Sequence, residues 1–571
     1  MDIGLIGTGP AVDAVAAAFS DVDVGTERAA PERLGTFDFA VVVGTVGADA
    51  FLAATEACDR WAAVEVGGVG GRPTDDLDAA VSLFGPQTGC YRCLRRRVEA
   101  ARDDEVDAAD DPEATGVRSA VRYAGALAGR RVVRHLSGDD LAGTVAEVPG
   151  GERRFLPVPG CRCGDGRDRT LALAHREVEL TDALDRMERA VDDRLGIVTE
   201  VGERESFPAP YYLGATADTT GFSDARAAPF AAGTAADWNA AYVKAVGEGL
   251  ERYAAGVYRG DEFVTAAATG LDGAVAPGLF VAPEGYDRPA ADAETDWVPA
   301  LDLAADEPAW LPAAVVHHPP STERVRPPIT TGLGLGNSTV EAVLSGLYEV
   351  VERDAAMLSW YSTAEPLGLA VDDEAFATLE KRARAEELSV STLLLTQDVD
   401  VPVVACAVHR DGEWPRFAAG SGADLDVAAA ATDALAEALQ NWMELRGMGP
   451  ETAAEQGGEI GRYAEFPEPA RSFVDPETTV PAASVGGDQL PTGEAELDAV
   501  VERVADGGLT PYASRLTTRD LAALGFEAVR VVVPTAQPLF QADPYFGERL
   551  GRVARSMGFE PATDRPYHPF P

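Results

Sequence analysis

The apolar positions of this chain fall into short runs that alternate with longer amphipathic segments. Residues 2–19, DIGLIGTGPAVDAVAAAF, have the pattern of a strand, a glycine-rich turn and a helix, and apolar runs at 37–46 and 61–68 predict two further strands. Strands that alternate with helices predict a parallel, Rossmann-like α/β sheet. Gly7-Thr8-Gly9 begins a dinucleotide-binding turn, but Val12 replaces its third glycine, so a turn without a ligand is an equal alternative.

The alternation is interrupted near residue 190. A helical pattern at 181–193 is followed by LGIVTEV, which begins a new strand. We therefore predict two domains, 1–190 and 191–571, with an α/β first domain and a mixed α/β, or α+β, second domain. The second domain has predicted helices at 236–257, 339–359 and 428–446 and predicted strands at 388–397, 402–409 and 526–534. Residues 273–330 are interpreted as connecting structure with short strands, and residues 330–338 (TTGLGLGNS) as a glycine-rich turn.

Two of these helices carry the same acidic signature. Glu248-x-x-Glu251-Arg252 and Glu349-x-x-Glu352-Arg353 each place two carboxylates on one helical face, in segments that otherwise look buried. The third helix repeats the spacing with Glu437 and Gln440. Charges inside apolar helices need partners or metal ions. We expect the helices to face one another and to bind magnesium and nucleotide.

Other residues of these segments fit the same hypothesis. Carboxylates are Mg²⁺ ligands, and Arg252 and Arg353 are suited to phosphate. Asn337 at a helix start is placed to contact a ligand or to cap the helix. Lys244 precedes Glu248 by one turn, where it can pair with that glutamate or reach phosphate. The alternative is a set of salt-bridged interior helices without catalytic importance.

The cysteines form two short clusters. Cys90-x-x-Cys93 and Cys161-x-Cys163 supply four thiolates beside turn-forming glycines, the set that a structural zinc site requires. A redox pair and unrelated buried cysteines are the alternatives. An acidic loop is predicted between the clusters, at 101–116.

The composition indicates the kind of cell in which the protein works and a class of partner that its charge disfavours. The chain of 571 residues has 48 basic and 94 acidic residues, a formal net charge of −46, and the acidic residues are spread along its length. This pattern favours a halophilic source, with an ordinary acidic protein as the alternative, and it disfavours nucleic acid as a partner. The N-terminus lacks the pattern of a signal peptide, and no apolar run approaches the length of a membrane span. We expect a cytoplasmic protein.

Residues 191–571 resemble a YcaO domain. The resemblance rests on KAVGEGLERYAAG, TTGLGLGNSTVEAVLSGLYEVVERDA, ALAEALQNW and the terminal PYHPFP. It implies ATP and Mg²⁺ as cofactors, with the two Glu-x-x-Glu pairs as metal ligands. The implied nucleotide contacts are Lys244, Glu248, Glu251, Arg252, Asn337, Glu349, Glu352, Arg353, Glu437 and Gln440. The implied catalytic residues are Glu349, Glu352, Arg353 and the terminal Pro571.

Residues 1–190 resemble the E1-like (ThiF-like) zinc-binding domain that is fused to YcaO in azoline-forming enzymes, through GCYRCLRRR and VPGCRCG. Two departures stand out: the second cluster is Cys-x-Cys, and Tyr567 replaces the first proline of the PxPxP tail. The resemblance implies a cyclodehydratase that converts Cys, Ser or Thr of a ribosomal precursor peptide to azolines by phosphorylating the backbone amide oxygen.

The alternatives are another amide modification, thioamidation or amidine formation, and a non-catalytic nucleotide-binding scaffold. We expect the precursor peptide as a partner, a homodimer, and a separate leader-binding protein or dehydrogenase, because no winged-helix leader-binding module is evident.

Overall fold

A computed structural model describes residues 2–22, 24–102, 115–322, 324–456, 458–487 and 490–570. Pro571 and residues 103–114 of the predicted acidic loop lie outside the described residues. The strands of the N-terminal part are β1 (Asp2–Ile6), β2 (Gly25–Arg28), β3 (Phe39–Thr45), β4 (Trp61–Val66), β5 (Gly68–Val69), β6 (Arg72–Pro73), β7 (Ala79–Phe84), β8 (Thr144–Val148) and β9 (Glu152–Arg154). Its helices are α1 (Pro10–Ser20), α2 (Asp49–Ala57), α3 (Tyr91–Ala100), α4 (Arg118–Leu136) and α5 (Leu180–Glu188).

The N-terminal sheet has seven strands in the order β2-β1-β3-β4-β7-β8-β9. The first four are parallel, as the alternation of strands and helices predicts. The prediction of a wholly parallel sheet is wrong, because β7, β8 and β9 are antiparallel additions. The chain passes from β4 to β7 through the small β5–β6 hairpin, without the crossover helix that parallel pairing needs.

The rest of the chain contains fourteen strands and ten helices among the described residues. The strands are β10 (Val198–Glu205), β11 (Tyr211–Thr216), β12 (Phe230–Thr234), β13 (Val264–Ala267), β14 (Glu294–Asp302), β15 (Glu307–Pro312), β16 (Leu333–Gly336), β17 (Leu367–Ala370), β18 (Ser389–Leu394), β19 (Val403–His409), β20 (Phe417–Ala423), β21 (Thr479–Pro481), β22 (Tyr512–Arg515) and β23 (Glu527–Val532). The helices are α6 (Trp238–Gly256), α7 (Ala313–Val316), α8 (Thr339–Trp360), α9 (Glu374–Ala385), α10 (Val427–Gln456), α11 (Gly458–Tyr463), α12 (Glu468–Phe473), α13 (Glu494–Asp506), α14 (Arg519–Leu524) and α15 (Glu548–Ser556).

Three sheets organise this part. Strands β10-β11-β12 form an antiparallel sheet, β13-β14-β22-β23-β16 form a second with β15 paired to β14, and β20-β19-β18-β17-β21 form a third. The interpretation of residues 273–330 as connecting structure is wrong in part, because β14 and β15 make a hairpin with six paired positions. The predicted third helix extends to Gln456 as α10, with a break at Gly449 before Pro450.

Helix α8 lies at the centre of the second part. It contacts β16 and β23 of one sheet and β19 and β20 of another, so 18 of its 22 residues are buried. Helix α6 packs on β11 and β12, and α10 packs on β19 and β20. The three helices that carry the acidic signature therefore meet where the three sheets meet.

Candidate active site

Three strand–helix units of the same design build the site. In each, a strand glycine is followed after four residues by a helix-capping residue, after 15 residues by a glutamate and after 18 residues by a glutamate or glutamine. We call β12–α6, β16–α8 and β20–α10 the first, second and third units. Their four positions are Gly233, Asp237, Glu248 and Glu251; Gly334, Ser338, Glu349 and Glu352; and Gly422, Asp426, Glu437 and Gln440.

The strand glycine lets each helix lie directly on its strand. A Cβ at Gly334 would lie 2.1 Å from the carbonyl oxygen of Ala342, and one at Gly233 or Gly422 would lie 2.5 Å from the equivalent helical carbonyl. Only glycine fits at that approach. The prediction of a phosphate-binding turn at 330–338 is therefore wrong in its structure, since residues 333–336 form β16 and pair with β23.

The first glutamate of each unit accepts a main-chain hydrogen bond from its own strand or, for Glu349, from the residue just before that strand. Glu248 accepts from the amide of Ala232 at 2.7 Å, Glu349 from Gly332 at 2.9 Å, and Glu437 from Ser421 at 2.7 Å. A packed helix and a main-chain amide thus fix all three carboxylates. The three carboxylates point to one region between the three units.

That region contains two adjoining cavities. The larger, about 880 Å³, is lined by Glu349 with Arg252 and Arg353, and the smaller, about 420 Å³, by Lys244 with Asn337. Four side chains of the signature line both cavities: Glu248, Glu251, Glu437 and Gln440. This acidic wall separates two spaces of the size that small-molecule sites have.

Glu352 is placed differently from its counterparts Glu251 and Gln440. It is buried on α8, accepts a hydrogen bond from the Ser421 hydroxyl at 2.7 Å and lines neither cavity. Its carboxylate lies 3.5 Å from Nε of Arg353, whose Nη2 lies 3.7 Å from Glu437. Glu352 therefore stands behind the wall and contacts the arginine that faces the cavity.

The wall carries more negative charge than its arginines neutralise. Burial, reinforced by neighbouring carboxylates, raises the pKa of Glu251 to about 8 and that of Glu352 to about 7. Burial also raises the pKa values of Glu248 and Glu437, although Arg252 pairs with Glu248. The raised carboxyl pKa values mean that burial destabilises the anionic forms by more than their hydrogen bonds and arginine neighbours stabilise them, and a bound cation would add to that stabilisation.

The wall is not a closed protein cage for a metal ion. Within the described ranges, only the four clustered cysteines bring three or more metal-ligating side chains within 4.8 Å of one another. The glutamates are more widely spaced. This spacing suits Mg²⁺, which keeps water and phosphate oxygens among its ligands and takes only a few carboxylates.

The smaller cavity contains a residue that the sequence interpretation missed. Glu341 lines it and accepts hydrogen bonds from the main-chain amide of Asn337 at 2.8 Å and from its side chain at 3.2 Å. The side-chain oxygen of Asn337 is buried without a hydrogen-bond partner, as expected of a group placed for a ligand. Ser338-x-x-Glu341 has the spacing of a capping box, and this spacing is the sequence signal by which Glu341 could have been found.

Lys244 pairs with Asp433 at 2.6 Å, not with Glu248.

The C-terminal tail packs behind α8. Trp360 donates to the carbonyl of Pro566 at 2.8 Å, a ring nitrogen of His568 lies 2.9 Å from the carbonyl oxygen of Phe540, and Phe570 is fully buried. Leu539, next to Phe540, lines the larger cavity. The tail is thus held close to the site, while Pro571 itself lies outside the described residues.

The four clustered cysteines meet as predicted. The sulfur of Cys90 lies 3.9 Å from that of Cys93 and 3.7 Å from that of Cys161, and the sulfurs of Cys93 and Cys163 are 3.5 Å apart. Four thiolates at 2.3 Å from a tetrahedral zinc would be about 3.8 Å apart, so the cluster fits this metal. Arg519 donates to Cys163 at 3.2 Å.

Comparison with known proteins places this geometry in a family. Residues 232–537, more than half of the chain, match the model of the YcaO cyclodehydratase family, which is described as ATP- and Mg²⁺-binding. The chain belongs to the YcaO cyclodehydratase family. It is an ATP-dependent enzyme of this family, and the matched region contains the four named positions of each strand–helix unit.

Relatives and solved structures agree with this assignment. An uncharacterized protein of Methanothermobacter thermautotrophicus is 29% identical over 343 residues, which cover 57% of this chain and 85% of the relative. Two structures share the fold over 98% of the chain. One is a heterocyclase in complex with substrate and cofactor, with 20% identity, 83% of its chain covered and a TM-score of 0.76. The other is the heterocyclase TruD, with 21% identity, 82% of its chain covered and a TM-score of 0.67.

None of the described helices combines the length and apolar composition needed to cross a bilayer.

Proposed function

We propose that this YcaO protein is a cyclodehydratase that converts Cys, Ser or Thr residues of a ribosomal precursor peptide to azolines. The observation that carries the proposal is the acidic wall shared by two cavities, which offers separate places for a nucleotide and for a peptide. The fold shared with the heterocyclases supports the same substrate class.

The proposed reaction couples ring closure to ATP. The side-chain thiol or hydroxyl loses its proton as its sulfur or oxygen adds to the preceding amide carbonyl carbon, and the resulting oxyanion takes the γ-phosphoryl group of ATP with release of ADP. The amide nitrogen loses its proton, the C–O bond breaks with departure of phosphate, and a C=N bond forms. The peptide loses one water, 18 Da. Mg²⁺ would supply charge neutralisation for the phosphates.

We propose a role for each residue of the site. Glu248, Glu251 and Glu349 are proposed ligands of magnesium and nucleotide, with Lys244, Arg252, Asn337, Glu437 and Gln440 as nucleotide contacts. Arg353 would face the transferred phosphoryl group. Glu352 is proposed to orient Arg353, which is the contact that its buried position supports.

The decisive variant is Glu349→Gln. Glutamine can still accept the hydrogen bond from Gly332, so the fold should persist while the charge that the metal needs is lost. We expect peptide-dependent ATP hydrolysis and the 18 Da loss to fall at least 100-fold, with an unchanged melting temperature. Glu502→Gln, an exposed charge on α13, is the matched control.

The same assay separates the alternatives. A gain of 16 Da in the peptide would indicate thioamidation instead of azoline formation. An amidine formed with an amine of the same peptide would also lose 18 Da, and it would be distinguished from an azoline by its unreacted Cys, Ser or Thr side chain. Binding of ATP with no modification of any Cys-containing peptide would favour a scaffold. Near-normal activity of Glu349→Gln would contradict the site assignment.

We also propose that Cys90, Cys93, Cys161 and Cys163 hold a structural zinc in an E1-like domain of residues 1–190, followed by the YcaO domain of residues 191–571. Four thiolates leave no open coordination position, so a structural role suits the set. We expect one zinc per chain by atomic emission. A stable, metal-free preparation would contradict this proposal.

We further propose an intracellular protein of a salt-rich cytoplasm that forms a homodimer. A separate leader-binding protein or dehydrogenase would act with it. The charge of −46 supports the first part of this proposal.

A further inference from the structure

A third pocket is lined by arginines. It measures about 780 Å³ and shares no lining residue with the two cavities at the acidic wall. We call it the arginine pocket, after Arg72, Arg92, Arg95 and Arg96. Two acidic residues, Glu99 and Asp218, also line it. In a chain of net charge −46, four arginines around one pocket are an exceptional local concentration of positive charge.

Helix α3 presents three of these arginines in a row. Arg92, Arg95 and Arg96 are three and four residues apart and so share one helical face. The opposite face is buried through residues that include Cys93 and Leu94. Because Cys90 is the N-cap residue of α3 and belongs to the cysteine cluster, the row is fixed relative to the rest of the protein.

The wall opposite the row is also preformed. The amides of Gly70 and Gly71 donate to the buried carboxylate of Glu65 at 2.7 and 2.8 Å, and Tyr91 donates to it at 2.6 Å. These bonds fix the β5–β6 hairpin. A Cβ at Gly71 would lie 2.9 Å from Nε of Arg95, so glycine is needed for the arginine to lie against the hairpin.

Two of the arginines retain binding capacity. Arg72 pairs with Glu99, and Arg92 pairs with Glu56 at 2.5 Å. In the part of the chain that the structure describes, Arg95 and Arg96 form no ion pair with a carboxylate. Two guanidinium groups without a carboxylate in a half-enclosed pocket favour an anionic ligand.

The pocket also joins the two halves of the chain. Asp218, Thr220 and Gly221 of the second part also line it, and the amide of Asp218 donates to the carbonyl of Ala100 at the end of α3 at 2.8 Å. A ligand here would contact both the N-terminal part and the part that carries the acidic wall.

We propose that the arginine pocket binds an acidic segment of the substrate peptide, outside the residues that are modified. This inference rests on the proposed function, since it names a second contact of the same peptide. The pair of Arg92 with Glu56 is exposed, so a carboxylate of the peptide can take the place of Glu56. Arg92 and Arg96 are separated by a rise of about 6 Å along the helix. Alternate residues of an extended peptide are separated by about 6.6 Å, so carboxylates at every second position match the row.

The length of the row favours a peptide over a small anion. A phosphate would occupy one guanidinium fork, whereas the pocket has arginines on a helix and on a hairpin and is also lined by the apolar residues Leu52 and Pro73. The rest of the acidic surface would repel an acidic peptide, which restricts its docking to this place.

The test measures binding of a fluorescein-labelled Gly-Glu-Gly-Glu-Gly-Glu peptide to the full chain by anisotropy, with the glutamine version of the peptide as the neutral probe. We expect Arg95→Gln/Arg96→Gln to weaken binding of the acidic peptide at least about tenfold, because charge-assisted hydrogen bonds are lost. The matched control is Arg118→Gln/Arg122→Gln, which removes two exposed charges from α4. It should stay within twofold of the unaltered protein.

Four outcomes would overturn the proposal. They are equal binding of the acidic and neutral peptides, equal weakening in the control variant, displacement of the peptide by ATP with Mg²⁺, and binding of inorganic phosphate without binding of the peptide. The last would identify a small-anion site instead.

The two proposals can fail separately. If the unaltered protein binds the acidic peptide but removes 18 Da from no peptide, the proposed function fails and the pocket stands. If the protein removes 18 Da and the arginine double variant leaves the KM of an acid-flanked peptide unchanged, the pocket fails and the function stands. Support for both requires a raised KM in the double variant with unchanged ATP binding.

Discussion

At the scale of single residues, the glutamates of the acidic wall owe their positions to main-chain amides. Glu248, Glu349 and Glu437 each use one carboxylate oxygen to accept from a main-chain amide that precedes their own helix. The other oxygen of Glu248 pairs with Arg252, and that of Glu437 lies 3.7 Å from Arg353, so both carboxylates stand beside an arginine that lines the larger cavity. A carboxylate held in this way needs no reorganisation when a cation and phosphates bind, which is the condition for electrostatic stabilisation in an active site.

The strand glycines are the residues that make this geometry attainable. We predict that Gly422→Ala lowers the stability of the protein by about 1–3 kcal/mol, because the added methyl group meets the helix backbone at Ala430. The measurement is the shift of the urea denaturation midpoint.

Gly202→Ala in β10 is the matched control. Its Cβ has no heavy atom within 4 Å, so we expect a change of no more than about 0.5 kcal/mol. A Gly422→Ala variant as stable as this control would show that the strand and helix can separate at no cost.

At the scale of elements, α6 is fixed by contacts that reach beyond its own unit. Tyr253 on α6 donates to Asp520 of α14 at 2.6 Å, and Arg97 of α3 pairs with the same carboxylate. The neighbouring Arg519 donates to Cys163. The cysteine cluster and the helix that carries Glu251 are therefore both connected to α14, through an exposed contact at Arg519 and buried contacts at Asp520.

We predict that Asp520→Asn destabilises the protein by about 3–5 kcal/mol, because it leaves the fully buried Arg97 without its counter-charge. Thermal unfolding of the full chain would measure the loss. Asp13→Asn breaks the exposed pair with Arg28 and should cost about 0–1 kcal/mol. Similar melting temperatures for the two variants would refute a special role for Asp520.

At the scale of the whole molecule, the charge of −46 is the dominant property. Such a charge repels itself in the folded state, and the repulsion acts over about 10 Å at 0.1 M salt but over only about 3 Å at 1 M. Stability should therefore depend on ionic strength more than on any single surface ion pair.

We predict that the melting temperature rises steadily as KCl increases from 0.1 to 2 M. Sucrose at matched osmolality should raise it less, because sucrose is excluded from the surface but screens no charge. A melting temperature that is flat or falls with KCl would contradict the proposed adaptation to salt.

The sequence alone determined much of the local structure. Strands β1, β3 and β4, helix α1, the three acidic helices and the clustering of four cysteines follow from periodicity and spacing, because these patterns depend on near neighbours along the chain. The YcaO resemblance also came from contiguous motifs. The sequence interpretation mistook β16 for a turn because glycine is common to turns and to strands that a helix approaches closely.

Only the tertiary structure decided which side chains face which space. Glu251 and Glu352 have the same place in their units, yet Glu251 lines both cavities and Glu352 is turned away to Ser421, 69 residues further along the chain. The arginine pocket likewise combines α3 with residues 218–221. Helical spacing specifies the face on which a residue lies, but the element packed against that face is set by contacts between distant parts of the chain.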